Sequence, residues 1–190
     1  MSLAPADYDF GNASNYSFAT TITCANEDAR KMFAEAFGHM LNFNHEQAIA
    51  CYMKATELDS TCAMAWWGIA YCVSSNYNWT PGLGSGFDPI QQAVSRKDGC
   101  TELEQDLIDA LAQRHSQEAR DAADPSVLNM GNTPELNAAF AAAMAPLYEK
   151  YNGNLDVAAI YVEALMNLKA WQLWDKNTET GEITPADDNT

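Results

Sequence analysis

The stretch HEQAIACYMKATELD, residues 45–59, decides the fold. Its apolar residues recur three or four positions apart, which is the spacing of one face of an α-helix. Asn44 precedes it as a candidate N-cap, and Gln47 follows three residues later, as in a capping box. The pattern therefore predicts an amphipathic helix that begins after Asn44 and ends near Asp59. The apolar face consists of Ala48, Ile49, Tyr52, Ala55 and Leu58.

The segments on both sides of this stretch also have helical patterns. From Asn26 onward, apolar residues form one wide face, and the residues are Met32, Phe33, Ala36, Phe37, Met40 and Leu41. After the turn at Asp59, the segment 63–73 has almost no polar side. A helix that is apolar all round is buried between neighbours. The third helix is therefore expected to be the central element.

Four more helices are predicted after an irregular stretch at residues 76–87, whose glycines and proline interrupt regular structure. Their start signals are Asp88 before Pro89, Thr101 with Glu104, and Thr133 before Pro134, and the last helix follows Asn152-Gly153-Asn154. The first and third are N-caps followed by an N1 proline, and the second is a capping box. Pro146 is expected to kink its helix. Seven helices and no strand result, with an extended arm at 1–25, a helical domain at 26–175 and a flexible polar tail at 176–190.

Residues 45–59 also resemble the second helix of a tetratricopeptide repeat. Ala48 and Ala55 stand at the small positions of that repeat, and Tyr52 stands at the aromatic position between them. The segment that follows is similar to the first helix of a next repeat, with Trp66 at the tryptophan position and Ile69 at the leucine position. The match covers roughly residues 29–75. In the preceding helix, Met32, Glu35 and Ala36 replace the tryptophan, leucine and glycine of the pattern, and Ser60 replaces its closing proline.

The resemblance implies an all-α, right-handed solenoid of antiparallel helix pairs, and the chain is expected to be the front part of a longer array. In that family the first helix of each pair lines a concave groove that holds a peptide. By alignment, the groove residues are Arg30, Phe33, Phe37, Met40, Leu41, Met64, Trp67, Tyr71 and Ser75, with Tyr77 and Trp79 added from the irregular stretch. Only Arg30 could clamp a terminal carboxylate, so an apolar peptide or helix is the expected ligand. The alternative is that the N-terminal arm or later helices bury these side chains.

The charge balance disfavours two partner classes. Among 190 residues, 26 are Asp or Glu and 10 are Lys or Arg, for a formal charge of −16. Nucleic acids and anionic membranes are recognised through clustered Lys and Arg, so both are disfavoured. The sequence shows neither an apolar run of bilayer length nor a basic and apolar leader at its N-terminus. A cytoplasmic location is therefore expected, and nothing predicts the oligomeric state.

Cysteines and histidines do not form a recognisable site in the sequence. The five cysteines are an odd number and contain no C-x-x-C pair, so reduced, buried thiols are expected. The three histidines match neither H-E-x-x-H nor Glu-x-x-His. The glycines at 82, 84 and 86 lack the context of a phosphate-binding loop, and residues 175–186 depart from a calcium loop. No catalytic residue, metal or cofactor is predicted.

Two functions remain open at this stage. The favoured one is a non-enzymatic scaffold or adaptor that binds a protein segment in the concave groove. The alternative is a small-molecule binder or enzyme that uses the same aromatic pocket together with Tyr77, Trp79 and Asp88.

Overall fold

The structure, a computed structural model, describes residues 21–74, 76–78, 86–121 and 134–186. The α-helices are α1 (Glu27–Leu41), α2 (His45–Leu58), α3 (Ala63–Val73), α4 (Phe87–Val94), α5 (Glu102–Ala112), α6 (Gln117–Asp121), α7 (Pro134–Lys150) and α8 (Leu155–Met166). Short 3₁₀ turns occupy Lys97–Gly99 and Asn167–Lys169. The strands β1 (Trp174–Lys176) and β2 (Ile183–Pro185) form an antiparallel hairpin. The prediction of a mostly helical chain is confirmed.

Each long helix packs mainly against its neighbours in sequence, from α1 on α2 through to α7 on α8. Further contacts join α1 to α3 and α3 to α5. The apolar α3 therefore touches α1, α2, α4 and α5, as its uniformly apolar composition predicts. It is the centre of the described core.

The α2–α3 crossing depends on a glycine. A Cβ atom placed on Gly68 would lie 2.4 Å from Cζ of Tyr52, a side chain with no exposed surface. Small residues allow two helices to approach closely, and here the tyrosine ring fills the space that a side chain would need. The repeat-like positions around Tyr52 thus serve helix packing.

Three helix starts follow the local chemistry of the sequence. Asn26 and Asn154 cap α1 and α8, each accepting hydrogen bonds from two backbone amides of the first turn. Thr101 and Glu104 form the predicted capping box of α5. The predicted capping box at Thr101 is confirmed, and the caps at Asn26 and Asn154 place the starts of α1 and α8.

Two predicted caps are wrong. The side chain of Asn44 makes no capping bond to α2, and its Nδ2 lies 3.2 Å from Nδ1 of His39 on α1. Helix α4 begins at Phe87, before the predicted Asp88, whose carboxylate instead pairs with Arg120 at 2.7 Å. In both cases the side chain contacts a residue of another helix instead.

The C-terminal segment corrects the expectation that the chain has no strand. Residue pairs from Trp174 opposite Pro185 to Lys176 opposite Ile183 form the hairpin. The side chain of Asn177 accepts hydrogen bonds from the backbone amides of Glu179 and Thr180, which organises the turn. Three-residue strands are too short for an alternating pattern to be visible in sequence.

The segment that precedes α1 is held at two places. Thr23 donates from its backbone amide and its hydroxyl to the Glu104 carboxylate, at 2.6 and 2.7 Å. Ala25 donates its amide to Asp59 at 2.7 Å. The segment therefore joins the start of α5 to the turn between α2 and α3.

Asp59 makes this tether sensitive to acid. Burial favours a higher pKa, but hydrogen bonds from Thr61, Cys24 and Ala25 outweigh it and lower the pKa of Asp59 to about 2. Since the folded pKa lies below the unfolded value, the stabilisation is complete above about pH 4 and disappears as the pH falls toward 2.

Asp59→Asn is therefore expected to cost about 2 kcal/mol at neutral pH and progressively less below pH 4. Urea unfolding of both proteins at several pH values measures the difference. A difference that stays constant from pH 7 to pH 2 would show that the charge of Asp59 does not hold the tether.

The cysteines are unpaired by disulfides, as expected, and four of the five are buried. Within the described ranges, none of the helices combines the length and apolar character needed to span a bilayer.

Candidate functional site

The predicted groove residues lie mostly in the core. Those with at most 2% of their surface exposed are Phe33, Phe37, Met40, Met64, Trp67 and Tyr71. Leu41 and Tyr77 are half-buried, and Ser75 and Trp79 lie outside the described residues. Arg30 pairs with Glu27, and its Nη2 donates to the carbonyl of Cys24 at 2.7 Å. Ligand contact by any of them stays a prediction.

Later helices cover the face around Trp67 and Tyr71. Nε1 of Trp67 donates to the carbonyl of Leu107 on α5 at 3.1 Å. The hydroxyl of Tyr71 donates to Oε2 of Glu163 on α8 at 2.6 Å, and its ring meets Phe140 of α7 edge-on at 6.3 Å. Among the alternatives for these side chains, the structure therefore shows burial by later helices.

A buried arginine, Arg114, contacts the helices that cover Trp67 and Tyr71. Arg114, with 1% of its surface exposed, donates from Nε to Oδ1 of Asn137 at 2.9 Å. Its guanidinium lies 5.5 Å from the ring centroid of Phe140. Burial raises the pKa of Glu163, while the Tyr71 hydrogen bond and the charge of Arg114 oppose that rise. The cluster joins α3, α7 and α8 through largely buried polar groups.

Two histidines adjoin this cluster as neutral rings. Burial, followed by the charge of Arg114, lowers the pKa of His115 to about 3 and that of His45 to about 4. Nε2 of His115 lies 3.2 Å from the hydroxyl of Ser74, which itself donates to the carbonyl of Ala70 at 2.7 Å. The serine and histidine are both buried, so their contact is a packing and hydrogen-bonding feature of the core.

An open groove of about 480 Å³ lies between α5 and α7. Its lining residues are Asp106, Asp109, Ala110, Gln113, Ala139, Ala142, Ala143 and Leu147. The two carboxylates already have cationic partners, since Asp106 pairs with Lys150 and Asp109 pairs with Lys97. The floor of the groove is therefore lined mainly by alanine side chains, and both of its carboxylates are paired with lysines.

The outer side of α8 is an exposed apolar surface. Leu155, Ala159, Val162 and Met166 recur at intervals of four, three and four residues and form one stripe, which we call the terminal apolar face. Leu155 is 81% exposed and Val162 is 52% exposed. No charged residue stands in the stripe, because Asp156 and Glu163 of this helix are buried.

Other exposed apolar side chains gather at the same end of the chain. Of the nine large exposed apolar residues among those described, six lie after residue 147, namely Tyr148, Leu155, Val162, Trp171, Trp174 and Ile183. Tyr148 contacts Tyr161 of α8 with ring centroids 5.4 Å apart, and Trp171 stacks on Tyr77 at 5.3 Å. Together with Leu155 and Val162, these residues concentrate the exposed apolar side chains in the C-terminal part of the described chain.

Sequence reasoning identified the inner residues of α8 but missed its outer stripe and the buried cluster. A signal for the stripe was present, because the helix is apolar on more sides than one core requires. Glu163 was also visible as a single acid within an apolar run. Nothing local to Arg114 distinguishes it from an exposed arginine.

The fold and these surfaces define the chain as a mostly helical protein of sequentially packed helices with a small hairpin. Searches among known families, curated proteins and solved structures found no match to it.

Proposed function

We propose that this protein is an interaction module that binds an amphipathic helix of a partner protein on the terminal apolar face. We also propose that its helices form a tetratricopeptide-like solenoid. The single observation that carries the first proposal is the uncharged, exposed stripe along α8.

The packing order supports both parts of the proposal. Contacts between successive helices, together with α1 on α3 and α3 on α5, follow the arrangement expected of stacked helix pairs. A helix that closes such a stack needs a polar outer face to remain soluble. Helix α8 instead presents Leu155 and Val162, as expected of a helix that another helix covers.

The stripe also fits a helical ligand in shape. Ala159 stands between the larger Leu155 and Val162, so a partner helix can approach closely at the centre while its side chains pack beside the two larger ones. Recognition of an amphipathic helix uses anchors with this same spacing of three and four residues.

Charge selects the kind of partner. A net charge of −16 opposes association of two copies of this chain and favours a ligand whose apolar stripe is flanked by Lys and Arg. The ligand is therefore a basic amphipathic helix. This retains the apolar helix expected from the sequence and assigns it to a different surface.

Fluorescence anisotropy with labelled model peptides tests the proposal. A leucine–lysine peptide of about 18 residues, or five helical turns, is expected to bind at low salt. A shuffled peptide of the same composition without an apolar face, and a leucine–glutamate peptide, should bind at least about tenfold more weakly. Equal binding of the first two peptides would indicate charge attraction alone and contradict the proposal.

Variants locate the surface. Leu155→Ser combined with Val162→Ser is expected to weaken binding of the leucine–lysine peptide at least about tenfold, which corresponds to about 1.4 kcal/mol. Met53→Ser is the matched control, because Met53 lies on α2 and is exposed to the same 52% as Val162. If Met53→Ser weakens binding equally, or the double variant leaves it unchanged, the terminal apolar face is not the site.

A further inference from the structure

Glu35, His39 and Cys51 converge between α1 and α2. One ligand atom from each side chain lies within 4.8 Å of the other two. Glu35 and His39 are four residues apart and share a face of α1, while Cys51 comes from the facing side of α2. The three types of donor atom are a carboxylate oxygen, an imidazole nitrogen and a sulfur.

We propose that these three side chains bind one zinc ion and leave its fourth coordination position open. Zinc accepts thiolate, imidazole and carboxylate ligands together in tetrahedral geometry, and three protein ligands with one open position is a familiar arrangement for it. Calcium and magnesium require oxygen ligands throughout, so the sulfur excludes them.

The distances allow closure around an ion. Two atoms bound to the same tetrahedral zinc lie roughly 3.3–3.6 Å apart. The side chains must therefore approach by about 1 Å, which rotation about their own side-chain bonds can supply while the two helices keep their positions.

Neighbouring side chains orient the proposed ligands. The Asn44 side chain contacts Nδ1 of His39 at 3.2 Å, and with its amide oxygen turned toward that nitrogen it accepts from Nδ1–H and leaves the Nε2 lone pair for the metal. Nε2 of Gln47 lies 3.9 Å from the sulfur of Cys51 and donates toward it. Such outer contacts hold ligands in place in metal sites. They also account for the absence of a capping bond at Asn44.

The three proposed ligands differ in their exposure to solvent. Cys51 has no exposed surface and His39 is 4% exposed, whereas Glu35 is only half-buried. The glutamate is therefore the most exposed of the three proposed ligands. It stands where the repeat pattern has an apolar leucine.

Cobalt(II), which replaces zinc and reports its own coordination, provides the test. The purified full chain, freed of metals with a chelator, is titrated with cobalt chloride and followed by absorption spectroscopy. We expect one equivalent to produce tetrahedral bands in the visible range together with a thiolate-to-cobalt charge-transfer band, and zinc to abolish both by displacement. Absence of the charge-transfer band in the wild-type chain overturns the proposal.

Variants assign the ligands. Cys51→Ser is expected to abolish the charge-transfer band, and His39→Gln and Glu35→Gln to weaken cobalt binding at least about tenfold. Cys100→Ser is the matched control, since Cys100 is a thiol outside the cluster, and it should leave the band unchanged. A band that persists in Cys51→Ser or vanishes in Cys100→Ser refutes the assignment. Should Cys51→Ser fail to fold, Glu35→Gln decides alone, because unchanged affinity in that variant refutes the site.

Discussion

Replacing Arg114 by alanine is expected to lower the free energy of unfolding by about 3–5 kcal/mol. The change removes the hydrogen bond to Asn137 and the contact with the Phe140 ring. It also leaves the buried Glu163 carboxyl without the positive charge that opposes its raised pKa. Urea unfolding followed by circular dichroism measures the loss.

Two further variants show whether the loss of stability in Arg114→Ala comes from the buried cluster or would follow from removing any arginine. Arg120→Ala removes a surface arginine that pairs with Asp88 and Asp121, and it should move the urea midpoint far less. Glu163→Gln should restore part of the stability of Arg114→Ala, because it removes the uncompensated acid. Equal midpoints for Arg114→Ala and the wild-type chain would show that the buried cluster does not hold α7 and α8 on α3.

Trp67→Ala is expected to destabilise the chain by about 3–5 kcal/mol. Trp67 is completely buried, and its Nε1 donates to the carbonyl of Leu107 across the α3–α5 contact. Alanine leaves both a large cavity and an unpaired carbonyl. Thermal and urea unfolding measure the loss.

The neighbouring tryptophan is the control. Trp66 is half-buried, with its Nε1 bonded to the carbonyl of Ser60 at 3.3 Å and the guanidinium of Arg96 at 5.6 Å from its ring. Trp66→Ala should cost clearly less than Trp67→Ala. Equal losses of stability in the two variants would mean that the packing of α5 on Trp67 contributes little to the stability of the fold. Weaker partner binding by a Trp67 variant would also reflect unfolding, so that substitution cannot report on a groove.

Local signals predicted the elements well where the deciding contacts lie within a few residues. The caps at Asn26, Thr101 and Asn154 depend only on the turn that follows them, and the one among them that was predicted, the capping box at Thr101, is confirmed. Asn44 and Asp88 carry equally good local signals, but contacts with His39 and Arg120 take their side chains away from the helix ends. The partner of Asp88 lies 32 residues away, beyond any local window of sequence, whereas His39 lies only five residues before Asn44 but on another helix.

The sequence pattern also does not predict whether a helix face is exposed, because the residues that cover the face lie far along the chain. Periodicity shows that Trp67 and Tyr71 lie on an apolar face, but it does not show what covers that face. The covering groups, Leu107 and Glu163, are 40 and 92 residues further along the chain. Conversely, α8 has no later long helix among the described residues to cover it, and its outer stripe stays exposed. The same apolar pattern is therefore a buried face in α3 and an exposed face in α8.

A methyl-resolved NMR titration tests most directly whether a basic amphipathic helix binds on the terminal apolar face. Adding the leucine–lysine peptide to the full chain should shift the methyl signals of Leu155, Val162 and Met166. The Met53 methyl on α2 should stay in place. Shifts that centre on α2, or on the α5–α7 groove at Leu147, while the α8 methyl signals remain unchanged would contradict the account.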